Sequence, residues 1–276
     1  MMRFIEDTHH CEMPTWENRW ICSTRARARN AQEPSIMPAQ TAAAPSAGVS
    51  PASAQAPASA QALASAIYHR LQAAYGAPTW RPHYAPMDAL ALTFLSQNTS
   101  DLNSGRAFGA LKARYPTWPA VLDAPVEEVA ETIRSGGLAR QKAPRIQAAL
   151  QRILAERGEF RIDFLADLPV DEGLRWLTSF VGIGPKTASI VLLFCFDKPA
   201  FPVDTHVARV SRRVGIAGPK DSEQKIKGIW EAVTPAAWYY LLHLNLIRHG
   251  REVCHARAPQ CGTCVLNDVC RYVDKT

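Results

Sequence analysis

Two groups of residues in this 276-residue chain have the types and spacing to do chemistry. The first is Cys254-x6-Cys261-x2-Cys264-x5-Cys270, four thiols within 17 residues. Four thiolates make a complete tetrahedral ligand set, and by spacing chemistry zinc and a 4Fe–4S cluster fit equally well. Seven cysteines in total, with four crowded together, argue for a metal or cluster site over a disulfide framework. The second group is Gly182-Ile183-Gly184-Pro185-Lys186, followed by Asp204. Gly ends helices and Pro opens them, so the turn predicts a tight helical hairpin. Its bare N–H groups and the following helix dipole suit an anionic oxygen, with Lys186 in the first turn of the second helix. On residue types alone a plain hairpin is the commoner meaning of such a turn. Asp204 precedes the spacing Val207, Val210, Val214, which predicts a helix with Asp204 at its N-cap, and capping alone would explain it.

The elements that must position these residues are all helical. Leu63, Ile67, Leu71 and Tyr75 share one helix face closed by Gly76. Ala89 to Leu95 is apolar enough for a buried helix, and it ends abruptly in Ser96-Gln97-Asn98-Thr99-Ser100-Asp101, which fits a helix end followed by the next helix's cap. Shorter helical patterns cover Phe108–Tyr115, Val126–Ile133 and Ala143–Leu154. A run beginning Trp238-Tyr239-Tyr240-Leu241-Leu242 continues as a helix to His249-Gly250, its aromatics reading as core. No strand alternation or repeat is present, so the expected class is all-α. From Pro38 to Ala66 the composition collapses to Ala, Pro, Ser and Gln, which buries too little to fold; residues 1–62 are expected to be a disordered tail. The longest apolar run, Ala188 to Phe196, is far short of the roughly 20 residues of a membrane helix. The net charge of +6 lies entirely beyond residue 62 and points to a polyanionic partner.

Taken together, G-I-G-P-K-T-A, P-V-D-T-H-x-x-R-V, L-S-Q-N-T-S-D and H-G-R-x-x-C-x-A-R-x-P-x-C-x-x-C resemble the endonuclease III family of DNA glycosylases, from about Leu63 to the C-terminus. The resemblance implies two helical domains flanking a DNA-binding cleft. One is a barrel over 86–203 with the hairpin at about 171–196; the other is a cluster domain made of 63–85 and 204–276. It selects a 4Fe–4S cluster over zinc, held by Cys254, Cys261, Cys264 and Cys270. It makes Lys186 the nucleophile and Asp204 the essential carboxylate. Gln97 would fill the gap left by an extruded nucleotide, beside Asn98, and Gly182, Ile183 and Gly184 would hold a phosphate. The segment Ser135–Ala143 is similar to the family loop G-L-x-x-x-K-A, where Arg140 and Lys142 would touch phosphate or form a solvated basic face. His206, Arg209 and Arg213 would lie away from the valines and toward DNA, and His206 could equally fill a domain boundary.

The implied reaction is bifunctional. An amine attacks C1′, displaces an oxidised pyrimidine and forms a Schiff base, and β-elimination then nicks the strand. Thr93 stands where related adenine glycosylases carry glutamate, and Lys186 stands where thymine-mismatch relatives usually place another residue. Two alternatives stay open: a monofunctional thymine or uracil mismatch glycosylase, and a DNA-binding paralogue with weak turnover. The expected partner is double-stranded DNA with damaged bases or abasic sites, bound by a monomer without a membrane, in the cytoplasm if the source is bacterial.

Overall fold

The computed structural model describes residues 60–272 except 83, so the expected N-terminal tail lies outside the described residues but for its last turn of helix. Among the described residues there are eleven α-helices and four short 3₁₀ turns, and no strand. The chain groups into two compact units, one of Ala91–Ala155 and one running up to Leu90 and onward from Glu156. By contacts the hairpin sits in the second unit, with the cysteine loop, and not with Ala91–Ala155.

In the first unit, the end of α2 (Pro86–Leu95) leads into α3 (Asp101–Arg114), α4 (Trp118–Asp123), α5 (Val126–Thr132) and α6 (Ala139–Arg157). Leu95, Leu111, Val121, Val129, Ile146 and Ile153 are buried there. Ser100 caps α3 by accepting from Asn103 N, as the polar switch after Leu95 predicts. The short α4 was not anticipated, although Thr117 as cap and Pro119 in the first turn are its start signals. Its last carbonyls are met from afar, where Gln147 Nε2 donates to Val121 O at 2.9 Å and Ala124 O at 2.7 Å.

The second unit contains α1 (Ala60–Tyr75), α7 (Val170–Thr178), α8 (Pro185–Phe196), α9 (Thr205–Val214), α10 (Glu223–Val233) and α11 (Tyr239–Glu252). Leu63, Ile67 and Leu71 of α1 are buried, Tyr68 stacks on the half-buried Trp238 at 4.0 Å, and Tyr239 and Tyr240 lie in the core. Asn245 of α11 donates to Leu71 O and Gly76 O, so a buried amide ties α11 to the C-terminal end of α1. Gly173 lets α7 approach α8, since a Cβ there would meet Leu192 Cδ2 at 3.0 Å. Among the described residues, no helix is long and apolar enough to cross a membrane.

Candidate active site and cluster loop

The hairpin between α7 and α8 forms as the glycines predict. Gly182 holds φ 91°, a left-handed conformation that favours glycine. Ile183 is turned into the core and Val181 outward, 4% and 75% exposed. Gly184 is the N-cap of α8 and offers no side-chain acceptor, while Pro185 takes the first position. The first-turn N–H groups of α8 therefore have no intrahelical acceptor and present a donor-rich helix end. Lys186, half-buried, lines a cavity of about 470 Å³ with Gly184, Ser189, Phe201, Gln224 and Lys227.

Asp204 arrives at this region on a non-helical strap, residues 197–204, that leads from α8 into α9. Its Oδ1 accepts from Val207 N at 2.7 Å, the expected cap. The strap is tied down along its length. Lys198 Nζ donates to Leu168 O at 2.8 Å, and Phe201 N donates to Glu231 Oε1 at 2.8 Å, the carboxylate that also pairs with Lys227. The Pro202 carbonyl accepts from the buried His243 ring at 3.0 Å. Burial pushes His243 down to about 4; Asp204 opposes that shift and Lys186 adds to it, so both side chains stand within electrostatic reach of this one imidazole.

The other candidates fall as follows. Gln97 is half-buried and Asn98 exposed, in the turn that ends α2, Asn98 with φ 52°. Arg140 is exposed in the first turn of α6. Lys142 is a correction: it is no surface cation, being 2% exposed, and its Nζ donates to Leu95 O and to Gly136 O, both at 2.7 Å. These two carbonyls end a helix and a turn, where the backbone ladder supplies no donor, and burial pulls the ammonium down to about 8. His206 is half-buried with Nδ1 3.1 Å from Arg209 Nη2, and Gly250 passes so close that a Cβ there would meet His206 Cβ at 2.9 Å.

Arg209 and Arg213 also differ from expectation, because both brace the cysteine loop. Arg209 donates to Cys254 O at 3.0 Å and Gly250 O at 2.7 Å. Arg213 donates to Cys254 Sγ at 3.3 Å, His255 O at 2.6 Å and Ala256 O at 3.1 Å. All four cysteines line one hollow with Val210, Val214 and Leu266. Leu266 N points at Cys264 Sγ at 3.4 Å, and His249 Nε2 lies 3.5 Å from the same sulfur. Burial, together with the other three thiols, pushes the Cys264 thiol up, so holding it as a thiolate ligand calls for a bound cationic group. No three His, Cys, Asp or Glu side chains among the described residues are grouped to hold a single ion. Four cysteines lining one hollow, with N–H···S contacts to Cys254 and Cys264, would hold a 4Fe–4S cluster.

Residues 91–235 match the HhH-GPD superfamily of base excision DNA repair proteins, and residues 254–270 match the iron–sulfur binding domain of endonuclease III. Endonuclease III of Escherichia coli K12 is 34% identical over 210 residues, which are 76% of this chain and 95% of that protein. The chain belongs to the endonuclease III family. Endonuclease III of Bacillus subtilis is 33% identical over 70% of this chain and 84% of its own length. A provisionally named DNA glycosylase of Arabidopsis thaliana is 44% identical over 47% of this chain, which spans only 44% of that longer relative. Among solved structures, a non-covalent endonuclease III–DNA complex superimposes with a TM-score of 0.67 at 30% identity, over 77% of this chain and 95% of the other. Membership makes this chain a base-excision DNA glycosylase with AP lyase activity that carries a 4Fe–4S cluster.

Nothing in the sequence singles out His243, which lies in a run of leucines and reads as core. Arg209 and Arg213 were visible as a basic pair on α9, but what they touch depends on a loop some 40 residues later.

Proposed function

We propose that this glycosylase removes oxidised pyrimidines from duplex DNA and nicks the strand by β-elimination, acting as a monomer through Lys186 and Asp204. What supports the reading is placement: Lys186 stands in the first turn of α8, at the donor-rich end of the hairpin, and the strap that leaves the same helix sets Asp204 at the N-cap of α9. The neutral Lys186 amine attacks C1′ as the C1′–base bond breaks, and the departing base takes up a proton. Loss of water-derived oxygen from the opened sugar is not needed, because the imine forms as the ring C–O bond opens. Loss of the C2′ proton then breaks the C3′–O bond and releases the 3′ strand, and water hydrolyses the imine to free the lysine. Asp204 stabilises positive charge developing on the sugar and handles protons, while its cap to Val207 fixes its direction. The first-turn donors of α8 take a backbone phosphate. Gln97, Asn98, Arg140 and His206 are assigned to DNA contacts, and Cys254, Cys261, Cys264 and Cys270 to the cluster, whose role in this reading is to hold the loop's fold.

Borohydride trapping on a thymine glycol duplex tests the assignment. A covalent complex with the parent, lost in Lys186→Gln while duplex binding persists, is expected. No adduct with the parent on this lesion or on an abasic site would sink the lyase reading for this lysine.

A further inference from the structure

His243 takes no part in the steps above, yet it stands where their two carriers meet. It belongs to α11, is 2% exposed, and touches both the helix that bears Lys186 and the strap that bears Asp204. Because a carbonyl only accepts, the 3.0 Å contact between Nδ1 and Pro202 O fixes the tautomer, with the proton on Nδ1. Pro202 lies two residues before Asp204. On the other side, Phe194 of α8 meets the ring edge-on at 5.6 Å between centroids, and Phe201 of the strap does so at 6.3 Å. The imidazole is thus gripped by an aromatic from each element and hydrogen-bonded to one of them. The charged groups that act on it are Asp204, Lys186 and Arg251, and burial outweighs all three, leaving the ring uncharged at neutral pH. A neutral ring leaves the attraction between the carboxylate and developing positive charge undisturbed, which a buried imidazolium would not.

We propose that His243 is a positioning residue that sets the placement of Asp204 against the Lys186 helix, by holding the Pro202 carbonyl from α11 and wedging between Phe194 and Phe201. The proposal rests on the assignment of Lys186 and Asp204 to the chemistry. A leucine of similar bulk would fill the space but leave the Pro202 carbonyl without its donor, and the last residues before Asp204 would be free to shift. Misplacement of a reacting group by about 1 Å costs on the order of 100-fold in rate.

The test compares His243→Asn, whose side-chain N–H can take the place of Nδ1–H, with His243→Leu, each alone and combined with Asp204→Asn. Single-turnover base release, borohydride trapping, duplex affinity and the visible absorbance of the cluster are measured on the cluster-loaded full chain. His243→Leu should slow single turnover by about tenfold or more with affinity held within about twofold, and His243→Asn should recover most of the rate. In the Asp204→Asn background, His243→Leu should add little further loss, because the histidine acts through that carboxylate. A leucine variant at the parent rate, an asparagine variant as slow as leucine, or losses that simply multiply would each overturn the proposal. If the leucine variant loses its cluster absorbance, His243→Gln replaces it: its amide reaches further along the ring axis, and it should be slow where asparagine is fast. Parent-like turnover by Asp204→Asn alone would instead overturn the catalytic pair beneath the proposal, a result that is separately visible.

Discussion

Two corners of this molecule each join a glycine turn to a helix with a lysine in its first turn, and the two lysines have opposite fates. Gly136-Gly137-Leu138 leads into α6 with Lys142 in its first turn, and Gly182-Ile183-Gly184 leads into α8 with Lys186 in its first turn. Each corner uses a glycine at positive φ, 67° at Gly137 and 91° at Gly182. Lys142 is buried and spans two carbonyls, whereas Lys186 is half-buried and lines a cavity. Helix phase separates them. Lys186 is the second residue of its helix and stands at the donor-rich end. Lys142 is the fourth of its own, and its side chain leans back beneath the turn, where the final carbonyl of α2 and that of Gly136 need a donor. A lysine beside a glycine turn is therefore a structural tie or a chemical group according to two residues of register.

The sharpest way to break this contrast is to exchange the readouts. Lys186→Gln should abolish the borohydride adduct, a loss of about 1000-fold or more in lyase rate, with little change in melting temperature. Lys142→Met should do the reverse: it strands the carbonyls of Leu95 and Gly136 and lowers stability by about 2–4 kcal/mol in chemical denaturation. Equal loss of stability in both variants would show that the two corners do not differ as described. Because Leu95 O lies immediately before the Gln97 turn, the Met variant should also weaken lesion binding modestly, read as a raised duplex Kd.

A smaller effect separates the glycines. Gly182→Ala should cost about 1–2 kcal/mol through its positive φ, and it should reduce duplex affinity as well, because the donors it displaces belong to the helix end. Gly137→Ala should cost a similar amount in stability without that direct effect on phosphate.

The pH dependence sharpens the comparison further. Lys142 is held down to about 8 from its ordinary 10.5, so between these values the unfolded chain keeps a proton that the folded chain has released. Stability contributed at this site therefore rises with pH across that window, and the parent should gain on Lys142→Met between pH 8 and 10.5. His243 acts at the other end. Its folded value of about 4 lies below its ordinary 6.5, so the unfolded state takes up the proton first and stability falls as pH drops from 6.5 to 4. Unfolding titrations of the parent and His243→Asn should diverge in that window; parallel curves would remove the buried neutral ring as the cause.

Much of the site was legible because its signals are local. The hairpin is written in Gly182, Gly184 and Pro185, the cap in Asp204 and three valines, and the ligand set in the spacing of four cysteines within one loop. The helix over Glu223–Val233 also carries its signals, Ser222 as cap and Glu223 after it, although no expectation covered it. By type and spacing alone, Lys142, Arg209 and Arg213 are cations for an external anion. A polar side chain's type states what it can donate, and only its neighbours state to whom.

The sequence by itself determined the all-helical class, the turn that exposes a helix end, the residue that caps α9 and the clustering of thiols, because each depends on contacts within a few residues. The tertiary structure alone decided that α11 sends His243 between the Lys186 helix and the Asp204 strap, that Arg209 and Arg213 hold the cysteine loop, and that Lys142 is internal. Those outcomes depend on which carbonyls are left without a donor once distant helices have packed, and that demand arises only in the folded chain.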